Sequence, residues 1–376
     1  MRIGLAHKRL DLKGGTERDL YLTAEGLRDL GHEIHLFCGE FDIEPPAGTI
    51  AHAVPIAPFG RSARLWSFAV SAPKVIRRYD CEVVVNFGRM LRQDVLRSGG
   101  GPHRVFLEKL GRAGGSSRRL WQSLSPYHRS LLALERRQFC DGHFKRVVAV
   151  SELVKREIIA AYAVPEEKIT VLHNGVDGER FHPSLRAKWR NAVREEWGVP
   201  LDAPLVLFVG SGFRRKGLDR LLAAWESSRL NDVYLMAVGE DASLQTYAAR
   251  ADERAKGRIV FTGRQESVEK FYGAADIVAL PSVQEAFGNV VLEGLASGLP
   301  VLVTRSVGAS EILKGDLRAG VIDKPEDANE VEDRIKTLLK RGRRPESAAE
   351  SRRVAEDYSW KNHFKKLESC LMQAVR

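Results

Sequence analysis

Cysteine is scarce in this chain, with only 4 cysteines among 376 residues. The four lie far apart in the sequence, and no two of them form a C-x-x-C pair: they are Cys38, Cys81, Cys140 and Cys370. This spacing is typical neither of a cysteine-based zinc site nor of a disulfide framework. We therefore expect reduced thiols, as in a cytosolic protein.

Long apolar runs are absent as well. No segment approaches the roughly 20 consecutive apolar residues that a membrane-spanning helix needs, and Met1 to Arg9 lacks the apolar region of a signal peptide. The composition, with 44% hydrophobic and 29% charged residues, is that of an ordinary globular protein. Without such segments, we expect a cytoplasmic protein. Because 376 residues are enough for two hydrophobic cores, we expect two domains.

Negative charge is in deficit, since the formal net charge is +10. The excess is concentrated between Arg61 and Arg146, where 18 Lys or Arg residues stand against 6 Asp or Glu residues. A positive field of this kind attracts nucleic acid, anionic lipid or an acidic substrate. No nucleic-acid-binding motif accompanies it, so we expect no nucleic-acid partner.

Arginines alternate with aromatic and aliphatic residues between Val105 and Phe139. Arg118, Arg119 and Trp121 lie in the middle of this stretch. Basic residues interleaved with interfacial aromatics are typical of a membrane surface. These three residues are therefore candidate contacts to an anionic membrane or to an acceptor. A solvated basic face on a buried helix would give the same pattern, and the sequence leaves that alternative open.

Strand-like and helix-like segments alternate in both halves of the chain. The strands predicted in the first half are Arg2 to Ala6, Ile34 to Cys38, Val83 to Phe87, Val147 to Val150 and Ile169 to Leu172. Those predicted in the second half are Leu205 to Val209, Tyr234 to Val238, Ile259 to Thr262, Ile277 to Leu280, Val301 to Val303 and Gly320 to Ile322. We expect Thr16 to cap a helix that ends near Leu30, with Asp19 in a capping-box position. The alternation predicts an α/β protein with doubly wound parallel sheets.

The segment from Pro281 to Thr304 holds two carboxylates, Glu285 and Glu293, on either side of Phe287-Gly288-Asn289. The apolar strand before it places Glu285 in a loop at the carboxyl end of that strand. Glu293 then falls about one turn into the following helix. In open α/β sheets, this edge is where ligands bind.

The start of that helix and its two carboxylates suit different parts of one ligand. A helix amino terminus offers N–H groups and partial positive charge, and Gly288 allows a phosphate to approach closely. Carboxylates accept hydrogen bonds from hydroxyl groups. We therefore predict a sugar nucleotide, with Glu285 on sugar hydroxyls and Glu293 on ribose hydroxyls. The alternative is two solvated glutamates on a surface helix.

A basic, glycine-rich turn lies upstream, from Gly210 to Gly217 (G-S-G-F-R-R-K-G), directly after an apolar strand. It matches neither the Walker A motif nor G-x-G-x-x-G. Arg215 can bind a diphosphate through two hydrogen bonds, and Lys216 adds a compact charge. The alternative is an exposed basic loop.

Together these motifs resemble the retaining glycosyltransferases of family 4, which have the GT-B fold. The resemblance rests on P-S-x-x-E-A-F-G-N-V-V-L-E, on G-x-G-x-R-R-K-G-L-D, on His173 to Pro183 and on Tyr358-Ser359-Trp360. The first half is most similar to glucosyltransferases of the lipopolysaccharide core. The resemblance implies two Rossmann-like domains facing across a cleft: an acceptor domain, residues 1–173 completed by about 358–376, and a donor domain, residues 174–357.

The resemblance also implies roles for individual residues. Those expected to take part in catalysis are Glu285, Lys216, Arg215 and His103. Those expected to bind the donor are Glu293, Gly15, Gly288, Asn289, Val290, Arg264 and Phe287. Arg18 and Asp94 are expected on the acceptor side, together with Arg118, Arg119 and Trp121. No metal or other cofactor is expected.

The implied activity is transfer of a hexose, with glucose from UDP-glucose as the expected donor, to a lipopolysaccharide core or related glycolipid at the inner face of the inner membrane. The protein would associate peripherally with that anionic membrane. Three alternatives stay open: another hexosyl or heptosyl transferase of surface polysaccharide synthesis, a UDP-sugar 2-epimerase of the same fold, and a non-catalytic sugar-nucleotide-binding or scaffold protein.

Overall fold

Two units, each with its own sheet, make up the chain. The first comprises Met1–His173 and Trp360–Arg376, and the second comprises Asn174–Ser359. The computed structural model describes all residues except 13, 112–124, 227, 256, 343 and 376, and it leaves the side chains of residues 228, 254 and 345 undescribed. Arg118, Arg119 and Trp121 lie outside the described residues.

The first unit is built on a parallel sheet. Its strands are β1 (Arg2–Leu10), β2 (Glu33–Phe41), β3 (Ile50–Ala53), β4 (Val83–Asn86), β5 (Val95–Ser98), β6 (Arg146–Ala149) and β7 (Ile169–Val171). Its helices are α1 (Gly15–Asp29), α2 (Arg61–Ile76), α3 (residues 103–111), α4 (Pro126–Cys140), α5 (Glu152–Tyr162) and the last helix, α14 (Trp360–Val375). The strand order is β3-β2-β1-β4-β5-β6-β7, so the direction of winding reverses between β1 and β4.

The last helix of the chain belongs to the first unit because its apolar face completes that unit's core. Leu367 and Leu371 of α14 are fully buried there. Gly26 of α1 permits the close approach of α14, since a Cβ at this position would lie 2.0 Å from the ring of Phe364. Burial of each such leucine contributes about 1.5–3 kcal/mol to stability.

The second unit repeats the parallel design. Its strands are β8 (Leu205–Val209), β9 (Tyr234–Val238), β10 (Ile259–Gly263), β11 (Ile277–Leu280), β12 (Val301–Thr304) and β13 (Val321–Ile322). Its helices are α6 (Leu185–Glu196), α7 (Phe213–Lys216), α8 (Leu218–Trp225), α9 (Leu244–Ala255), α10 (Glu269–Ala274), α11 (Asn289–Ala296), α12 (Ala328–Gly342) and α13 (Pro345–Glu356). The order β10-β9-β8-β11-β12-β13 reverses between β8 and β11, and ligands bind at such a reversal in open sheets.

These sheets confirm the predicted doubly wound α/β architecture, and the differences from prediction are local. β3 and β5 were not predicted. β3 is a four-residue strand, mostly exposed at the sheet edge, and β5 contains Arg97, which breaks the apolar pattern. Arg97 is nevertheless buried, because its Nε donates to Asp19 at 2.9 Å.

The predicted start of the first helix is wrong. Gly14, not Thr16, is the N-cap of α1, and no side chain caps this helix end. Asp19 has turned inward to the buried guanidinium of Arg97, so it takes no part in a capping box.

Among the described residues, no helix has the length and apolarity required to cross a membrane.

Candidate active site

Glu285 lies in the loop after β11, as predicted. Two cations of the neighbouring basic turn, residues 210–217 with the short helix α7, lie close to its carboxylate. Arg215 Nη1 donates to Glu285 Oε2 at 2.7 Å, and Lys216 Nζ lies 3.5 Å from the same oxygen. The side chain of Glu285 is only 20% exposed, so these attractions are less screened than those of a surface ion pair. Two cations on one carboxylate leave net positive charge at this edge, which suits a phosphate.

Opposing effects set the pKa of Glu285. Burial raises the pKa, but the charges of Lys216 and Arg215 and the hydrogen bonds from both side chains outweigh burial and hold it below its ordinary value. The carboxylate is therefore ionised at neutral pH. In that state it accepts hydrogen bonds, for example from sugar hydroxyls, and has no proton to donate.

The backbone of Glu285 is fixed separately from its side chain. Its N–H donates to the carbonyl of Ser306 at 3.0 Å, and its carbonyl accepts from the N–H of Gly308 at 3.0 Å. This parallel bridge around Val307 joins the loop after β11 to the loop after β12. The carboxylate is thus held in place before any ligand arrives, which is the condition for effective positioning.

The basic loop is joined to the acidic loop through the backbone. The N–H of Val283 donates to the carbonyl of Arg215 at 2.9 Å. Gly217 has φ +83°, and a Cβ there would lie 2.0 Å from the carbonyl oxygen of Pro281. Only glycine meets both the positive φ and the close approach.

Asp241, which the sequence analysis missed, supports the same loop from the other side. Its carboxylate accepts hydrogen bonds from the N–H of Phe213 at 2.9 Å and of Ser243 at 2.9 Å. Burial raises the pKa of Asp241, but these backbone hydrogen bonds outweigh burial and lower it. Asp241 follows β9, so its place after a strand is the signal that could have identified it.

The start of α11 is a closely packed turn at Gly288, where a Cβ would lie 3.0 Å from Val307. Gly288 has φ +98° and caps α11 without a side-chain hydrogen bond. The first N–H groups of a helix have no acceptor within it. Because α11 follows β11, those at Gly288, Asn289 and Val290 lie at the carboxyl edge of the sheet. Asn289 is held by Asn174, whose Nδ2 donates to Asn289 Oδ1 at 2.8 Å. The side chain of Phe287 is buried, with 2% exposure, so it shapes the site by packing.

Glu293 lies on α11, one turn after its start, as predicted. The hydroxyl of Tyr272 donates to Glu293 Oε2 at 2.5 Å. Tyr272 is only 1% exposed, so it fixes the carboxylate from the buried side. Tyr272 was not predicted as a site residue, because a tyrosine within the apolar helix F-Y-G-A is typical of a protein core.

Arg264 follows β10 at the same edge of the sheet. It comes directly after Gly263, whose φ of +68° turns the chain, and its side chain is exposed. It is therefore available to a ligand, although its exposure by itself is also what a loop arginine would show.

In the first unit, the glycine loops after β1 and β5 lie at the carboxyl edge of the sheet. A Cβ at Gly15 or Gly100 would meet no atom within 4 Å, while one at Gly99 would lie 3.9 Å from Thr16 Oγ1. The structure thus brings the loops after β1 and β5 together, with open space beside them. Arg18, on α1, is exposed nearby.

His103 begins α3 and is held by a carboxylate that the sequence analysis missed. Fully buried Glu135 accepts from the backbone N–H of His103 at 2.7 Å and of Arg104 at 3.1 Å. His103 Nε2 lies 3.0 Å from His128 Nδ1. Burial lowers the pKa of His103 to about 4, so its imidazole is neutral at neutral pH and acts there as a hydrogen-bonding group.

Asp94 lies apart from these residues. It precedes β5 and is therefore at the amino edge of the sheet, opposite the glycine loops. Its Oδ2 accepts from the N–H of Val84 at 2.9 Å, and its Oδ1 lies 3.6 Å from Lys145 Nζ. This placement argues against the acceptor role expected for Asp94 and indicates that it joins β4 to β5.

Among the described residues, no group of three or more His, Cys, Asp or Glu residues is arranged to hold a metal ion.

Family comparisons agree with this geometry in both units. Residues 13–180 match the model described as Glycosyltransferase Family 4, and residues 190–355 match the model described as Glycosyl transferases group 1. The chain belongs to these glycosyltransferases, and its two sheets have the GT-B fold, as the sequence predicted.

Individual proteins of known name are similar to this chain over most of its length. The chain is 25% identical to the lipopolysaccharide glucosyltransferase WaaG of Escherichia coli (strain K12), over 85% of each chain. It is 29% identical to a probable transglycosylase of Burkholderia thailandensis, over 100% of this chain and 98% of the relative. Among solved structures, it is similar in fold to WaaG, with a TM-score of 0.80 at 22% identity over 98% of this chain and 99% of that one. It is also similar in fold to Anabaena HepE in complex with UDP and glucose, with a TM-score of 0.71 at 19% identity over 99% and 100%.

Proposed function

We propose that this glycosyltransferase moves glucose from UDP-glucose to the core of lipopolysaccharide or a related glycolipid, with retention at the anomeric carbon. The observation that carries the proposal is the meeting of Arg215 and Lys216 at Glu285. One site then offers cations for a diphosphate and an ionised carboxylate for hydroxyls. The similarity to WaaG, a lipopolysaccharide glucosyltransferase, and to HepE in complex with UDP and glucose supports the choice of donor and acceptor.

In the proposed reaction, the bond between the anomeric carbon and the β-phosphate oxygen breaks, and its electron pair leaves with UDP. Arg215, Lys216 and the N–H groups at Gly288 and Asn289 stabilise the charge that develops on the phosphate. An acceptor hydroxyl attacks the same face and forms the new glycosidic bond. Its proton passes to the departing phosphate. Configuration is retained because attack and departure occur on the same face. In this scheme the four groups do the electrostatic work, without a metal ion.

The two carboxylates divide the donor between them. Glu285 binds the hydroxyls of glucose and fixes the pose of the sugar. Glu293 binds the ribose hydroxyls, and the hydrogen bond from Tyr272 keeps its second oxygen directed to the ligand. A carboxylate that accepts two hydroxyl groups discriminates strongly against ligands that lack them, because it would then stay unpaired in a partly buried site.

The acceptor is proposed to bind at the open carboxyl edge of the first sheet. Gly15 and Gly100 leave space there, and exposed Arg18 can meet a phosphate group of the acceptor. Neutral His103 suits a hydrogen bond with a sugar hydroxyl, because a neutral imidazole can donate or accept.

Peripheral binding to an anionic membrane is part of the proposal and rests on the basic stretch between Arg61 and Arg146. We expect the protein to sediment with vesicles of anionic phospholipid and to be released as salt rises, since screening weakens this attraction. Equal sedimentation with zwitterionic vesicles would contradict an electrostatic mode.

The proposed reaction is tested by a donor and acceptor screen with mass spectrometry and NMR. We expect UDP-glucose to be consumed only with a lipopolysaccharide core precursor, and the product to carry an α-linked glucose. A β-linked product would overturn retention. An isomerised UDP-sugar formed without acceptor would indicate the epimerase, and UDP binding with no transfer to any acceptor would indicate a binding protein.

A further inference from the structure

A cavity of about 470 Å³ lies in the second unit, away from the candidate active site. Its lining includes Pro204, Asp276 and Pro300, which directly precede β8, β11 and β12. The cavity is therefore at the amino edge of the sheet, whereas Glu285 and the basic loop lie at the carboxyl edge. Its volume falls within the range of small-molecule sites, about 300–1,000 Å³.

The cavity carries more positive than negative charge. Arg186 and Arg190, one turn apart on α6, and Arg344 line it. Arg186 Nη1 and Arg190 Nη1 donate to Asp276 Oδ1 at 3.2 Å and 3.0 Å. Buried Arg194 donates from its Nη2 to the other oxygen of Asp276, Oδ2, at 2.9 Å. The only other acidic residue in the lining is Asp202, which is exposed.

These arginines can hold an anion in addition to Asp276. Each guanidinium has five N–H donors. Asp276 accepts from three of these groups, and backbone carbonyls accept from Arg186 and Arg190 as well, so the donors left for an anion belong mainly to Arg186 and Arg344. The Arg186 side chain is 52% exposed, and Arg344 is exposed as well. A phosphate group matches this surplus better than a second carboxylate, since it offers three terminal oxygens and up to two negative charges.

Ser297 is a second observation that points to a polar ligand. It lines the cavity and is only 7% exposed. Its Oγ has no hydrogen-bond partner within the described part of the chain. Buried hydroxyls are nearly always paired, so the Ser297 hydroxyl keeps capacity for one more hydrogen bond at the cavity wall.

Tyr272 connects the cavity to the candidate active site. It belongs to the cavity lining, and its hydroxyl donates to Glu293, the residue proposed to bind ribose. Phe181 packs edge-on against its ring, with 5.2 Å between centroids. A ligand that displaces this ring would therefore shift the hydroxyl that positions Glu293.

We propose that this cavity is a regulatory site for a small phosphorylated metabolite, held by Arg186, Arg190, Arg344 and Ser297, which changes donor affinity through Tyr272. The coupling to donor affinity rests on the proposed role of Glu293, whereas the binding site itself does not.

Isothermal titration of the full chain with glucose 6-phosphate, and with inorganic phosphate as a minimal probe, tests the site. We expect binding that weakens about ten-fold or more in the double variant R186A/R344A, since each lost guanidinium removes charge-assisted hydrogen bonds. Arg353→Ala is the matched control, because Arg353 is an exposed arginine of the same unit outside the lining. No binding at millimolar concentration, or equal binding by R186A/R344A, would overturn the site.

UDP titrations with and without glucose 6-phosphate test the coupling. We expect the UDP dissociation constant to change about five-fold, with a reciprocal change for the phosphate ester. Tyr272→Phe should abolish this coupling while the ester still binds, because only the hydroxyl is lost. Coupling that persists in Tyr272→Phe would overturn the route through Tyr272. If UDP fails to bind at all while the ester binds, the proposed donor site fails and the cavity site stands.

Discussion

The carboxyl edges of the two sheets differ in how many charged side chains are held in place without a ligand. At the second sheet, Arg215 and Lys216 converge on Glu285, and backbone hydrogen bonds fix the three loops around it. At the first sheet, glycines leave open space and His103 is neutral.

This difference fits the proposed binding of the donor at the second sheet and of the acceptor at the first. A donor site that serves one nucleotide sugar gains from rigid, preorganised charges. An acceptor site built from glycine loops imposes few side chains on its ligand. The comparison teaches that the residues which identify the enzyme class need not be those which choose the acceptor.

The largest effect is expected at the second edge. Glu285→Ala and Lys216→Ala should each lower kcat/KM by about 10²–10³-fold, as loss of a preorganised electrostatic group does, while the protein still folds by circular dichroism. Glu253→Ala, an exposed acidic position on α9, is the control and should retain activity. Full activity of either folded variant would remove these residues from the site.

Acid should destabilise the first unit before the second. Burial lowers the pKa of His363, in α14, to about 4, whereas an unfolded histidine has a pKa near 6.5. Between these values the unfolded chain binds a proton that the folded chain does not. The contribution of His363 to the free energy of unfolding is therefore fully present above about pH 6.5. It falls by about 1.4 kcal/mol per pH unit as the pH drops toward 4. The only histidine of the second unit, His182, is exposed.

Hydrogen exchange, corrected for intrinsic rates, measures this effect region by region. Between about pH 7 and pH 5, opening of α1 and α14 should become easier than opening of β8 and β11. His363→Gln keeps a hydrogen-bonding side chain without titrating, so the pH dependence of the first unit should shrink. An unchanged dependence in that variant would show that other groups cause it.

A smaller effect is expected at Arg18. Arg18→Ala should raise the KM for a phosphorylated acceptor about five-fold, in line with loss of one exposed charge-assisted contact. The dissociation constant of UDP should stay unchanged. Arg156→Ala, an exposed arginine on α5 of the same unit, provides the control for net charge. Weaker UDP binding in Arg18→Ala would contradict the assignment of Arg18 to the acceptor.

The smallest effect is expected from chelation. Because Arg215, Lys216 and the start of α11 are proposed to stabilise the leaving phosphate, excess EDTA should leave the transfer rate unchanged. Loss of activity in EDTA, restored by added Mg²⁺ or Mn²⁺, would replace this account with a metal-assisted one.

The sequence predicted those features that are local to one strand and the loop after it. Glu285, Glu293 and the Arg215-Lys216 loop each follow a strong apolar strand, so their common edge followed from topology. Tyr272 and Asp241 could not be predicted as partners, because contacts between residues 21 and 28 positions apart depend on how helices and loops pack.

The errors arose where burial overrides local pattern. Arg97 is charged but buried against Asp19, so β5 did not read as a strand. With β5 unrecognised, Asp94 could not be placed before a strand, and the structure locates it at the amino edge of the sheet instead. Glu135, which organises His103, is likewise a charged residue that is fully buried.

Gly217 bears on how this enzyme could be engineered. The loop that carries Arg215 and Lys216 touches the chain at Pro281 so closely that even a methyl group would force the two segments apart. A library that randomises residues 213–216 would therefore explore new donors on an intact frame. If the library also randomised Gly217, most variants would lose the contact between residues 213–216 and the loop that carries Glu285.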